Sequence, residues 1–96
     1  MIKGDAYTPS VITVSANGYA NIRPPEGFEI VVHNIAHSGY AQLEKYDGTQ
    51  AVTVDTVAGG VPWMGMFLRC TYDVYYRVKD LTGATSYVAY DGVVSK

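Results

Sequence analysis

Hydrophobic and polar residues alternate along this chain in short runs, and glycine or proline interrupts nearly every run. The sharpest alternation is Val74-Tyr75-Tyr76-Arg77-Val78-Lys79-Asp80, with Val74, Tyr76 and Val78 on one face and Tyr75, Arg77 and Lys79 on the other. This is the period of a strand with one face on a core and the other open to solvent or a partner. Leu81-Thr82-Gly83-Ala84 and Thr85–Tyr90 follow, which read as a tight turn and a second strand. No segment keeps apolar residues at i, i+3, i+4 and i+7 over three turns, so the pattern predicts almost no helix.

The remaining runs are also strands. Ser10–Ser15 ends at Asn17-Gly18, a strong turn signal. Tyr19–Arg23 is stopped by Pro24-Pro25, which cannot donate to a central ladder, and Pro25-Glu26-Gly27 turns the chain. Phe28–Ile35 carries Phe28, Ile30 and Val32 on one face and Val31 and Ile35 on the other, which predicts a central strand covered on both sides. Gly39–Tyr46 and Gln50–Val57 flank Asp47-Gly48, the best hairpin turn in the chain. Ala58–Pro62 is a loop suited to crossing between sheets, and Trp63–Cys70 is a further strand. The fold class is all-β: a compact, jelly-roll-like antiparallel β-sandwich of about eight short strands. Its expected core is Ile30, Val32, Leu43, Val54, Leu68, Val74, Tyr76 and Val78.

Ninety-six residues make one domain with a thin core. Nine tyrosines and ten glycines fit half-buried pleated surfaces joined by turns. The net charge is −2 and the seven basic residues are scattered, so duplex nucleic acid is not an expected partner. The start of the chain lacks a signal-peptide pattern, and no run approaches the ~20 apolar residues of a membrane helix. A protein made in the cytoplasm, without a membrane partner, is therefore expected. Cys70 is alone and reads as a small buried hydrophobe.

Candidate chemistry is sparse. His33 and His37 are four apart, but no third ligand lies near, so they read as structural; a metal shared between subunits is the one version left open. The aspartates mostly flank turns, where they bond their own backbone, and no serine sits in a nucleophile elbow. The expectation is no enzyme, no metal and no cofactor. Residues 1–9 read as an extended N-terminal arm before a domain spanning 10–96, either disordered or adding to a neighbour's sheet edge through Ile2 and Tyr7. Trp63 either plugs one end of the core or forms a platform with exposed tyrosines. Ile2, Tyr7, Trp63, Tyr75 and Arg77 are thus the candidate partner-contact residues.

The stretch Arg23-Pro24-Pro25-Glu26-Gly27-Phe28-Glu29-Ile30-Val31-Val32-His33-Asn34-Ile35, with Val78–Gly83 and Tyr90-Asp91-Gly92, resembles small virion structural proteins of tailed bacteriophages. The resemblance implies a compact β domain that decorates a capsid, often as a trimer, or sits in head or tail fibres. It implies self-association, contact with a major capsid or other virion protein, and residence in the virion. The competing expectation is a carbohydrate-binding module that presents Trp63 and exposed tyrosines to a glycan.

Overall fold

A computed structural model describes residues 2–58 and 61–96. It contains β1 (Ala6–Tyr7), β2 (Ile12–Val14), β3 (Tyr19–Ile22), β4 (Ile30–His37), β5 (Ala41–Tyr46), β6 (Ala51–Val57), β7 (Leu68–Cys70), β8 (Tyr75–Asp80) and β9 (Ser86–Val94). One sheet runs β1-β9-β4-β7, with β2 also paired to β9; the other runs β3-β8-β5-β6. Every pairing is antiparallel, and no helix occurs among the described residues. We call these sheet A and sheet B. Among the described residues, six of the eight connections between successive strands pass from one sheet to the other, and only β5–β6 is a hairpin.

This changes the expected pairing. Asn17-Gly18 and Leu81–Ala84 do turn the chain, and Asn17 (φ 59°) and Gly83 (φ 75°) take the left-handed conformation. Both turns are arches, however: β2 and β3 lie in opposite sheets, as do β8 and β9. The arches are pinned from a distance by Asp80. Its Oδ2 accepts the Asn17 amide (2.9 Å), and its Oδ1 accepts the Thr82 hydroxyl (2.6 Å) and amide (3.1 Å).

The core forms where the two sheets face each other. Sheet A contributes Val14, Ile30, Val32, Ile35, Val88, Tyr90 and Val94; sheet B contributes Ala20, Ile22, Ala41, Leu43 and Val78. Of the expected core, Ile30, Val32, Leu43 and Val78 are buried, while Leu68 and Tyr76 pack half-buried against it. Val54 and Val74 are exposed. Val54 falls at a register shift between β5 and β6, on an edge strand that overhangs the core, and Val74 precedes β8.

Another register shift explains the two apolar faces read in Phe28–Ile35. His33 is the extra residue of a bulge opposite β9, so Ile35 returns to the inner face beside Ile30 and Val32. β4 is central as expected, but its outer face is not covered: Val31 is half-buried and Ala36 exposed.

Residues 1–9, expected as an arm, carry β1, which pairs with this chain's own β9 (Ala6 with Val93, Tyr7 with Gly92). Gly4 N donates to Val94 O (2.7 Å) and Val94 N to Asp5 O (2.9 Å), so the segment is fastened to sheet A from Gly4 onward.

Candidate functional site

The outer faces of the two sheets differ in chemistry. On sheet B, register places Asn21, Arg77, Glu44 and Thr53 in one outward row and Tyr19, Lys79, Gln42 and Thr56 in the next. The Arg77 guanidinium lies 3.9 Å from the ring centroids of both Tyr19 and Tyr46. Its Nε donates to Glu44 Oε1 at 2.8 Å, while Gln42 Nε2 donates to Glu44 Oε2 at 2.9 Å. Glu44 is buried, and charged hydrogen bonds to both carboxylate oxygens offset its loss of water. Tyr46 meets Tyr75 edge-on at 5.7 Å, and Arg23 lies 5.0 Å from Tyr75 and 3.7 Å from Tyr72. Rings and cations thus form one file, Tyr19, Arg77, Tyr46, Tyr75, Arg23 and Tyr72, in which each cation–ring contact is worth about 0.5–2 kcal/mol by its degree of burial.

The outer face of sheet A is apolar. Val31, Val93, Ala36 and Ala89 face outward across its middle, with Tyr87 and Val11 exposed beside them. Three charged groups stand among them: Arg69 meets Glu29 at 3.3 Å, and Asp91 accepts from the neutral Asn34 amide at 2.9 Å. Val11, Ala36, His37, Ser38, Tyr87 and Ala89 line a shallow groove of about 210 Å³. Its rim is fixed because Tyr87 N donates to Ser38 Oγ (2.9 Å) and Ser38 N to Tyr87 O (3.0 Å).

Along the free edge of β4 runs a strap, residues 61–67. The sequence predicts an unbroken strand over Trp63–Cys70; instead Trp63 bridges to Ile35 and the ladder resumes only at Leu68, with Gly65 at φ 67° between them. Gly65 N donates to Asn34 Oδ1 (3.2 Å), Met66 N to His33 O (2.8 Å), and His33 Nδ1 to Met66 O (3.0 Å). Both ring nitrogens of His37 face carbonyl oxygens, of Gly39 at 2.5 Å and Val61 at 2.6 Å. The strap is therefore held firmly, yet it presents Val61, Met64 and Phe67 to solvent, Phe67 at 80% exposure.

The five sequence candidates are scattered. Trp63 is only 7% exposed; its indole N–H donates to Asp55 Oδ2 at 2.8 Å, joining strap to β6 and both sheets at one end of the core. Tyr75 is 6% exposed under Arg23 and Tyr46, and Arg77 is half-buried in its ion pair. Tyr7 packs on Tyr90 with ring centroids 6.2 Å apart, and Ile2 is exposed in a turn closed by Asp5. Sequence reading missed Tyr19, Glu44 and Tyr46 on sheet B, and Phe67 and the alanine-floored groove on sheet A. Pairing brings these together across strands, and no local spacing reports it. The Cys70 thiol is buried, and burial pushes its pKa up to about 11, so it is a packing group and a poor nucleophile. Gly59 and Gly60 of the expected crossing loop lie outside the described residues. No family model matches the chain, and a search of curated proteins finds no match.

Proposed function

We propose that this protein is a non-enzymatic virion structural protein, a capsid decoration protein that binds the outer capsid surface and associates with itself. The supporting observation is strand order. The chain visits β2-β9-β4-β7 and β3-β8-β5-β6 alternately, which fits a jelly roll, an architecture used by viral capsid domains and lectins. The step from architecture to virion is one of analogy. It gains weight from the two worked outer faces, one apolar with a firmly held strap and one lined by tyrosine and arginine, the residue types that dominate protein interfaces. The sugar-binding reading relied on Trp63 and exposed tyrosines, and the burial of Trp63 leaves that platform to the tyrosines alone.

The test is sedimentation of the purified protein with particles of the phage that encodes it. Decoration expects saturable binding at copy numbers in the hundreds, as symmetric shells require, and a dozen or fewer copies point to a tail or neck part. Protein that stays in the supernatant with intact particles overturns the proposal.

A further inference from the structure

Cations gather on the outer face of sheet B, although the chain as a whole is anionic. Arg77 and Lys79 project from β8, and Arg23 reaches over Tyr75 from the end of β3; in these paired rows Glu44 is the one carboxylate among the described residues. Arg77 is neutralised by Glu44, whereas Arg23 and Lys79 form no ion pair among the described residues. Lys79, Arg77 and Tyr75 are successive outward residues of β8. The two uncompensated cations therefore stand about 13 Å apart along the strand, on either side of a neutral pair. Arg23 is held in place, its Nε donating to Tyr72 O at 2.6 Å and its guanidinium 3.7 Å from that ring, while Lys79 Nζ lies 5.8 Å from the Tyr19 ring. Ordering these groups on binding therefore costs less than ordering free side chains.

We infer that this face binds an extended acidic segment of a partner protein, lying along β8 with one carboxylate on Lys79, one on Arg23 and an uncharged polar side chain between them. Charge complementarity selects an anionic partner. Spacing selects its form: an extended chain rises about 3.4 Å per residue, so side chains four apart on one side of it span the same ~13 Å. The middle of the face selects a gap in the charge. Glu44 is already satisfied by Arg77 and Gln42, and Asn21, exposed in the same row, suits a neutral polar neighbour. A single strand of nucleic acid fits less well. Its phosphates recur at every step and would set one over the neutral pair, and its bases need open rings to stack on. Tyr19, Tyr46 and Tyr72 each already carry a guanidinium, and Tyr75 is buried.

The site specifies the partner contact in the capsid reading above and rests on that reading only for the source of the segment; a soluble peptide tests it without particles, so the two can fail separately. The probe is the fluorescein-labelled peptide Gly-Thr-Asp-Thr-Thr-Thr-Asp-Thr-Gly, titrated with the full chain and read by anisotropy. Saturable binding is expected between micromolar and millimolar protein, weakening as salt rises from about 0.05 to 0.5 M. Lys79→Gln and Arg23→Gln are each expected to weaken it about three- to fivefold, the upper range for an exposed ion pair. The melting temperature of Lys79→Gln should hold, because its ammonium is in no ion pair among the described residues. The same peptide with Asn for both Asp should bind weakly and respond to neither substitution. Lys3→Gln, away from this face, leaves binding of the acidic peptide intact. Absence of binding at millimolar protein, equal binding of the Asp and Asn peptides, or parent-like binding by both variants overturns the inference. So does tighter binding of an oligothymidylate of about twelve nucleotides, which would make the face a nucleic-acid platform.

Discussion

Gly92 lies so close to Val31 that no side chain fits between them: a Cβ there would collide with the Val31 carbonyl oxygen and stand 2.8 Å from Val32 Cα. The contact occurs where β9 runs between β1 and β4, opposite the His33 bulge. The obstruction is backbone, so relaxation means parting two central strands. Gly92→Ala is expected to cost at least the ~1–3 kcal/mol usual for overpacking, a large part of a total near 5–15. Urea denaturation measures it, and a midpoint equal to that of the parent chain would show that β4 and β9 yield there freely.

Trp63 offers a separate reading of how the sheets are joined. Trp63→Ala empties a core position and is expected to cost about 3–5 kcal/mol. Trp63→Phe keeps most of the volume and frees Asp55, which is exposed enough to take water, so its cost should be nearer 1 kcal/mol. Because the chain has one tryptophan, its emission reports this site alone and should shift to the red on unfolding.

The Arg77–Glu44 pair should behave as a unit. Arg77→Met leaves a buried carboxylate without its cation, at a cost of about 3 kcal/mol, the low end for such breaks because Arg77 keeps some solvent contact. Arg77→Lys keeps the charge but loses the flat group between Tyr19 and Tyr46, so part of that loss remains. Adding Glu44→Gln to Arg77→Met should recover stability, and a double-mutant cycle with no coupling energy would remove the pair from the account.

Asp80 makes the fold acid-sensitive in a defined window. The Thr82 hydroxyl first, then the Asn17 and Thr82 amides, hold its carboxyl at about 2, down from 3.8. A depressed folded pKa gives stability that is present above the unfolded value and lost as pH falls from near 4 through about 2. Stability measured across that interval should fall less steeply in Asp80→Asn, which is weaker at neutral pH. Equal slopes for the two chains would place the acid sensitivity elsewhere.

Removing residues 1–8 strips β1 from β9 and Tyr7 from Tyr90. The melting temperature is therefore expected to drop by several degrees, in line with the loss of a few kcal/mol of burial and hydrogen bonding. An unchanged melting temperature would mean that the segment contributes nothing to its own sheet.

The sequence was most legible where chemistry is local. Gly27, Gly48 and Gly83 all take positive φ at turns read from composition, and the strand runs fall within a few residues of the observed ones, Trp63–Cys70 apart. What lay hidden is long-range. Turn residues fix that the chain bends at Gly83, but not that β8 and β9 part into different sheets. A bulge at His33 moves Ile35 across the sheet without altering composition. Strict alternation places Tyr75 and Arg77 outward, which is where they point, yet Arg23 and Tyr46 bury Tyr75 from the far side. The outer faces were invisible for the same reason: Ala36 and Ala89 become neighbours on one surface only after β4 and β9 have paired.

The alternate visiting of the two sheets also governs how the chain reaches its native state. A single hairpin, β5–β6, can close early, because its strands adjoin in sequence; every other partner must be found across a long loop, Ala6 with Val93 being the extreme. Such topologies gain little from local encounters and fold on the slow side, in milliseconds to seconds. Since β1, β2 and β4 share β9 as their common neighbour, sheet A has no stable precursor until that strand arrives. On the ribosome the first eight strands would wait, half assembled and with apolar edges open, for the final one to leave the exit tunnel.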